Sequence, residues 1–201
     1  LDDFHRLDIR RKPDEVRVMW QGGYSHFPDF YPLRGAFHEA ARRLPNVKWV
    51  VFGTLFPFIY NAIPQPLVEF HPWVPFEQFH LKFSTLAFDI NLAPLADTRF
   101  NVCKSAIKFY EAAALGVPTL AQNAGPYREE IVDGDTGMLF STPEEFVEKL
   151  SILVNDQETR LRIGKRAEEW VRENRNALKT VVPLAGFYAK LFEDVRGQRA
   201  A

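Results

Sequence analysis

Short apolar segments alternate with amphipathic helical segments along this chain, and this alternation constrains its fold more than any other feature. Strand segments that are apolar on both faces predict a parallel sheet covered by helices on both sides. The predicted strands are residues 16–20, 47–52, 67–70, 86–92, 119–121 and 138–140. The predicted helices are residues 33–44, 75–84, 104–115, 127–132, 143–155, 157–174 and 178–195.

Right-handed crossovers between such strands predict an α/β fold with a doubly wound, Rossmann-like parallel sheet in the order 3-2-1-4-5-6. Ligands of these sheets bind at the carboxyl ends of the strands, where the winding reverses between the first and fourth strands. The loops expected to meet there are residues 21–29 and 94–103. The proline- and aromatic-rich segment 54–66 is expected to be a surface loop, and Thr142 with Glu145 a capping box.

The length of 201 residues suits one well-buried domain. We expect a linker or interdomain segment at residues 1–14 and one domain at residues 15–201, because the polar start without Met resembles the middle of a longer polypeptide. The net charge of −1 gives no electrostatic argument for nucleic acid or an anionic membrane as a partner. No apolar run approaches the ~18–20 residues that span a bilayer.

The cysteine and histidine residues point away from disulfide and metal chemistry. A single cysteine, Cys103, excludes an internal disulfide, fits a reducing compartment and is expected to be a small buried hydrophobe. The five histidines are scattered without the spacing of metal ligands. No metal site is therefore predicted.

The predicted helix that begins at Lys104 carries the clearest candidate ligand-binding face. Lys104, Lys108 and Glu111 fall on one stripe of that helix, and its apolar residues fall on the opposite side. A lysine at a helix start is unfavourable beside the positive end of the helix dipole, unless an anion such as phosphate shares the site. The alternative is a solvated face with a Lys108–Glu111 ion pair.

Two glycine-containing turns and one tryptophan are further candidates. Gly22 and Gly23 follow the first strand, where glycines let backbone N–H groups approach a diphosphate closely. Gly125-Pro126 follows the fifth strand, and Trp73 is a candidate for stacking on a base. The alternatives are ordinary turns and a tryptophan in the core or at its rim. GxGxxG and GxxxxGK[ST] are absent, which disfavours nicotinamide, flavin and P-loop sites.

Five motifs together resemble the C-terminal, nucleotide-sugar-binding domain of GT-B glycosyltransferases of the group-1, retaining family. The resemblance extends from Val16 to about Phe192. It rests on the strand Asp89–Leu95, the helix pattern from Asn101 to Glu111, Gly116-Val117-Pro118, Gly125-Pro126-Tyr127 and the Gly-rich segment Asp133–Gly137.

The resemblance implies one half of a GT-B enzyme, which transfers a hexose from a UDP- or GDP-sugar to a glycan, lipid or protein. The partner would be an N-terminal acceptor-binding domain of the same polypeptide, without which the fragment would bind donor and transfer nothing. It implies catalysis by electrostatic stabilisation from Lys104 without metal or cofactor, and a cytoplasmic location, with peripheral membrane association through the rest of the polypeptide left open. The implied donor-binding residues are Gly22, Gly23, Tyr24, Trp73, Val74, Asn101, Lys104, Ser105, Lys108, Glu111, Gly125, Pro126 and Tyr127.

Two departures from the family pattern keep alternatives open. Many members have a further glutamate where this chain has Cys103, and an Arg and a Lys after the first strand where this chain has Gln21, Tyr24, Ser25 and His26. One alternative is therefore a binding module that has kept the fold and lost catalysis. Another is an epimerase or phosphorylase of the same fold.

Overall fold

The structure is a computed structural model that describes residues 15–200. Among these residues there are six strands, which are β1 (Val16–Gly22), β2 (Val47–Gly53), β3 (Val68–His71), β4 (Ile90–Ala93), β5 (Thr119–Gln122) and β6 (Met138–Phe140). The helices of the first half are α1 (Phe27–Phe30), α2 (Arg34–Arg43), α3 (Pro57–Ala62), α4 (Phe76–Thr85) and α5 (Arg99–Val102). The second half contributes α6 (Ile107–Ala114), α7 (Gly125–Glu130), α8 (Pro143–Asn155), α9 (Gln157–Asn174) and α10 (Ala177–Ala200).

The strands form one parallel sheet in the order β3-β2-β1-β4-β5-β6. This confirms the predicted doubly wound, Rossmann-like fold. The longest pairing runs from Val16 opposite Val47 to Gly22 opposite Gly53, so β1 and β2 end together at glycines. The winding reverses between β1 and β4, as predicted.

Alternate residues of each strand point to opposite sides of the sheet, and both sides are buried under helices. Val18 and Trp20 of β1 join a cluster that includes residues of α2 and α8. Met19, between them, joins a second cluster with Phe83 of α4. The central strands are therefore apolar on both faces, which is the pattern that predicted a parallel sheet.

The expected surface loop at residues 54–66 is wrong. This segment contains α3 and a 3₁₀ turn, and Phe56, Ile59 and Ile63 are buried in the core. Pro57 occupies the first turn of α3, where its missing N–H costs nothing. The aromatic residues of this segment are core contacts, since Phe56 packs against Trp20 with ring centroids 4.9 Å apart.

The helices of the C-terminal half agree closely with their predicted bounds. α8 and α9 begin and end at the predicted residues, and α10 extends beyond its predicted range. Thr142 caps α8, since its side chain accepts a hydrogen bond from the Glu145 N–H at 3.2 Å. Glu145 reaches back one residue further than expected and accepts from the Ser141 N–H at 2.7 Å.

Two further points complete the fold. Among residues 15–200, no helix combines the length and apolar character needed to cross a bilayer. The predicted linker at residues 1–14 lies outside the described residues.

Candidate functional site

The two loops predicted to meet at the switch point are in contact through Asp29. Its Oδ1 accepts hydrogen bonds from the Ala96 N–H at 2.9 Å and from Nδ2 of Asn101 at 3.0 Å. Asn101 also donates to the Ala96 carbonyl at 2.8 Å, so its amide joins the loops to each other. The crevice expected at the carboxyl ends of β1 and β4 is therefore present.

Lys104 does not begin the helix that was predicted from residue 104. Arg99–Val102 forms the separate helix α5, and α6 begins only at Ile107. Thr98 ends the preceding loop as the cap of α5, since its Oγ1 accepts from the Asn101 N–H at 3.2 Å. The argument from the helix dipole therefore does not apply to Lys104. Its ammonium instead lies 5.2 Å from the centre of the Phe100 ring.

Glu111 on α6 is tied to the end of β1. Nε2 of Gln21 donates a hydrogen bond of 2.5 Å to Oε2 of Glu111. Burial raises the pKa of Glu111 to about 7, although the Gln21 hydrogen bond and the charge of Lys108 act in the opposite direction. The carboxyl group is therefore poised to change charge near neutral pH.

Lys108 lies one turn before Glu111 on the same helix. Burial lowers the pKa of the Lys108 ammonium, and the charge of Lys104 lowers it further, while Glu111 and Asp29 oppose this effect. On the opposite side of α6, Phe109 and Ala113 are buried in the core, as the periodicity predicted. The crevice face of α6 therefore presents one cation and one carboxyl group.

A glycine shelf, formed by Gly22 and Gly53 at the ends of β1 and β2, lies beside the crevice. A Cβ atom on Gly53 would lie 2.6 Å from the Gly22 carbonyl oxygen and 2.6 Å from Cζ2 of Trp73. Gly53 also has a φ of +115°, which side chains other than glycine rarely adopt. The indole of Trp73 rests on this shelf with 51% of its surface exposed, and it lies close to Gly23.

A cleft of about 380 Å³ opens between the two switch-point loops. It is lined by residues of both loops, including Ser25, His26, Asp29, Thr98, Phe100 and Lys104. Within the described residues, no group of three or more His, Cys, Asp or Glu side chains is arranged to hold a metal ion. The cleft combines an ammonium, an imidazole and a buried carboxylate.

The other predicted donor-binding residues differ in their exposure to solvent and in their place in the fold. Tyr24 is 71% exposed on the turn after β1, and Ser105 is exposed in the turn before α6. Val74 packs partly buried against the cluster that contains Met19. Gly125, the first residue of α7, has a φ of +50°, and a Cβ atom on it would lie 3.0 Å from the Asn101 carbonyl oxygen.

Pro126 and Tyr127 are both buried. Tyr127 is part of the core cluster beneath α6, and burial raises the pKa of its hydroxyl. These two residues thus position α7 from within the core.

Cys103 is exposed, so the expectation of a buried hydrophobe is wrong. It ends α5, and its thiol donates to the Arg99 carbonyl at 3.6 Å. The shift of the α6 start explains the difference, since residues 103–106 form a turn instead of the first turn of a packed helix.

Sequence reasoning missed three polar residues of the site: Gln21, His26 and Asp29. Each belongs to the loop that was predicted to line the crevice, but none belongs to a recognisable motif. Glu111, the partner of Gln21, and Asn101, a partner of Asp29, lie on distant segments of the chain, whereas His26 pairs with Asp29 itself. In the sequence, only the prediction that the two loops meet indicated that such pairs could form.

Comparison with known proteins agrees with this geometry. The family model described as "Glycosyl transferases group 1" matches residues 104–170, which contain Lys104 and the whole of α6. Spore coat protein SA of Bacillus subtilis is 30% identical over 183 residues, which is 86% of this chain and 48% of that protein. The chain thus spans about half the length of this relative.

Solved structures share the fold at low sequence identity. The C-terminal domain of a glycosyl transferase group 1 family protein (LpcC) from Francisella tularensis superposes with a TM-score of 0.67 at 18% identity, covering 88% of this chain and 97% of that one. Anabaena Alr3699/HepE, solved in complex with UDP and glucose, gives a TM-score of 0.71 at 16% identity, covering 88% of this chain and 49% of that one. The family model across α6 and the Rossmann-like fold shared with these domains make the chain similar to the group 1 glycosyltransferases, and it has the fold of their C-terminal domain.

Proposed function

We propose that this chain is the donor-binding half of a glycosyltransferase that uses a UDP- or GDP-sugar. The observation that carries the proposal is the position of Glu111, which the 2.5 Å hydrogen bond from Gln21 holds at the carboxyl end of β1. This is the edge of a doubly wound sheet at which nucleotides bind. The family signature covers the same helix.

Glu111 would accept hydrogen bonds from the ribose hydroxyls of the donor. Gln21 occupies one lone pair of Oε2 and sets the orientation of the carboxylate, which leaves Oε1 and further acceptor capacity for the two hydroxyls. A carboxylate held in this way loses little conformational entropy when ligand binds. Ionised Glu111 is the acceptor form, so donor binding favours loss of its proton.

Lys104 and Lys108 would stabilise the diphosphate as the bond to the sugar breaks. Negative charge develops on the leaving diphosphate, and ammonium groups in a partly dry crevice stabilise it without transferring a proton. The backbone N–H groups of the Gly22–Gly23 turn would contribute to the same effect. Trp73 and Val74 would meet the base, since the exposed indole lies beside this turn.

The acceptor site and any catalytic base would belong to the rest of the polypeptide. The chain covers 48% of the length of its Bacillus subtilis relative and 49% of the Anabaena protein, whose structure holds UDP and glucose. We therefore propose that this domain alone binds donor, needs neither metal nor cofactor for it, and transfers no sugar. The complete enzyme would act in the cytoplasm, free or at the inner face of a membrane.

One observation favours a second candidate, a binding module without catalysis. Cys103 is exposed beside Lys104, at the position where the resemblance leads one to expect a further glutamate. A thiol cannot replace a carboxylate that contacts a sugar hydroxyl. A domain of this kind would keep nucleotide binding and lose donor turnover even when joined to its partner domain.

Calorimetric titration of the chain with UDP, GDP, UDP-glucose and GDP-mannose tests the proposal. We expect one nucleotide series to bind, and binding to persist in EDTA. Glu111→Ala should abolish it, whereas Glu173→Ala, an exposed glutamate near the end of α9, should not. Absence of binding by every nucleotide would contradict the proposal. Binding without turnover by the full-length protein would select the second candidate.

A further inference from the structure

His26 is held by Asp29 at the mouth of the cleft. Nδ1–H of His26 donates to Oδ2 of Asp29 at 2.7 Å, while Oδ1 of Asp29 accepts from Ala96 and Asn101. Burial acts to raise the pKa of Asp29, but the hydrogen bonds from His26 and the Ala96 N–H, with the charges of His26 and Lys104, hold it below its ordinary value. Asp29 is therefore an ionised carboxylate with both oxygens engaged.

This arrangement determines which edge of the imidazole is available. An ionised carboxylate only accepts hydrogen bonds, so Nδ1 of His26 carries a proton. Cδ2, next to Nε2 in the ring, lies against the glycine turn, 3.0 Å from where a Cβ on Gly22 would stand. Across residues 15–200, nothing hydrogen-bonds to Nε2. The side chain is 16% exposed and lines the same cleft as Lys104.

The loop from Gln21 to Asp29 contains neither lysine nor arginine, so His26 is its only side chain able to carry a positive charge. Lys104 supplies a second positive charge from the opposite loop. Two such groups across a cleft of about 380 Å³ suit an anion the size of a phosphate or diphosphate.

We propose that His26 binds the terminal phosphate of the nucleoside diphosphate through Nε2–H, with Asp29 as its positioning residue and Lys104 as the opposing cation. This inference rests on the proposed function and assigns the diphosphate to the cleft between the two loops. His26 takes the place that the missing basic residues after β1 would otherwise fill.

The Asp29–His26 pair makes diphosphate binding dependent on proton uptake. With Nδ1–H directed to Asp29, a neutral imidazole presents a bare Nε2 that repels phosphate oxygens, and only the imidazolium presents N–H. Binding to the neutral form therefore adds one proton to Nε2. The other titratable groups around the site are Lys104 in the cleft, Lys108 and Glu111 on α6, and Tyr127 on α7.

Asp29→Asn would remove this dependence. The carbonyl oxygen of the new side-chain amide can keep the contacts with Ala96 and Asn101, and its NH₂ group then donates to Nδ1 of His26. A neutral ring would carry its proton on Nε2 and bind phosphate without taking up another proton. A purely structural role for Asp29 would weaken binding without changing the number of protons taken up.

Calorimetry of the chain with the better-binding diphosphate, UDP or GDP, tests the proposal at several pH values between about 6 and 9. Each titration is repeated in two buffers of different ionisation enthalpy, and the difference gives the number of protons taken up. We expect His26→Ala to lower diphosphate affinity about ten- to hundredfold, the effect of losing a hydrogen bond to a charged group. Binding of the matching nucleoside, which has no phosphate, should not change.

Proton uptake should fall in both His26→Ala and Asp29→Asn. Proton exchange by Glu111 and by the ligand is the same in all the proteins compared. The difference in proton uptake between them therefore measures the contribution of His26. Unchanged diphosphate affinity or proton uptake in His26→Ala would overturn this inference and leave the donor site intact. If the unchanged chain binds no nucleoside diphosphate, both proposals fail. If Asp29→Asn does not fold, the diphosphate affinity and proton uptake of His26→Ala are sufficient to test the inference.

Discussion

Gln21 and Glu111 lie 90 residues apart in the chain and are joined by a hydrogen bond of 2.5 Å. The bond connects the end of β1 to the crevice face of α6, across the point where the sheet reverses its winding. The partner of Glu111 is a neutral amide, so the carboxyl group gains orientation but little charge compensation. Its remaining support is the charge of Lys108 on the same helix.

Because of this arrangement, Glu111 should make the stability of the domain depend on pH. Its pKa rises from an ordinary 4.5 to about 7 on folding, so the folded chain binds the proton more tightly than the unfolded chain. The resulting stabilisation is complete below about pH 4.5 and is lost as the pH rises through 7. It amounts to at most about 3 kcal/mol.

Urea unfolding at several pH values between about 5 and 8 measures this effect in the chain and in Glu111→Gln. The chain should lose stability relative to the variant across this range, since glutamine does not titrate. Parallel curves for the two proteins would show that Glu111 does not titrate in this window.

Lys104→Ala should weaken binding of nucleoside diphosphates by about three- to tenfold, because the variant removes one partly exposed cation from the cleft. The loss should shrink as salt is added, since salt screens the same interaction. Lys165→Ala, which removes an exposed lysine from α9, is the matched control and should bind normally. If both variants bound nucleoside diphosphates with equal affinity in low salt, Lys104 would not be part of the binding site.

Gly53→Ala should destabilise the domain by about 1–3 kcal/mol, because the methyl group would overlap the Gly22 carbonyl and the Trp73 ring at a φ of +115°. Gly35→Ala, in α2 with no atom within 4 Å of the new methyl group, should stabilise it by about 0.5–1 kcal/mol. Thermal unfolding measures both. Tryptophan fluorescence of the folded protein should change only in the first variant, and equal stabilities would show that the glycine shelf is not a close contact.

Arg17→Met should destabilise the domain by about 1–2 kcal/mol. Arg17 donates to both oxygens of Glu69, at 3.0 and 2.7 Å, and to the Leu86 carbonyl, so the variant removes a donor from the carbonyl and leaves Glu69 with His71 as its side-chain partner. Arg42→Met breaks the exposed pair with Glu39 and should have no measurable effect. Chemical unfolding of both variants at about pH 7, where both carboxylates are ionised, is the measurement.

The contribution of Arg17 should also depend on pH. Burial acts to raise the pKa of Glu69, but the hydrogen bonds from Arg17 and His71, with the charges of both, lower it to about 2. The stabilisation from this pair is therefore present above the ordinary pKa of 4.5 and is lost as the pH falls towards 2. A stability difference between the chain and Arg17→Met that stays constant down to about pH 2 would contradict this account.

Elements with strong local signals were predictable. The cap at Thr142 and the apolar period of α8 predicted that helix residue by residue, because the hydrogen bonds that begin it lie within a few residues. The start of α6 near Lys104 was not predictable in this way, since the apolar period alone extends the helix back to residue 104. Thr98 instead caps a separate short helix, and the chain turns before Ile107.

The strand order, the meeting of the two loops and the crevice face of α6 were predictable from the residues alone. These follow from hydrophobic periodicity and from the handedness of crossovers, which depend on local residues and general rules. The folded chain was needed to see that Gln21 holds Glu111, that Asp29 joins His26 to Asn101, and that Cys103 is exposed. Such pairs depend on distances between segments far apart in the chain, and small shifts of a loop or a helix start determine them.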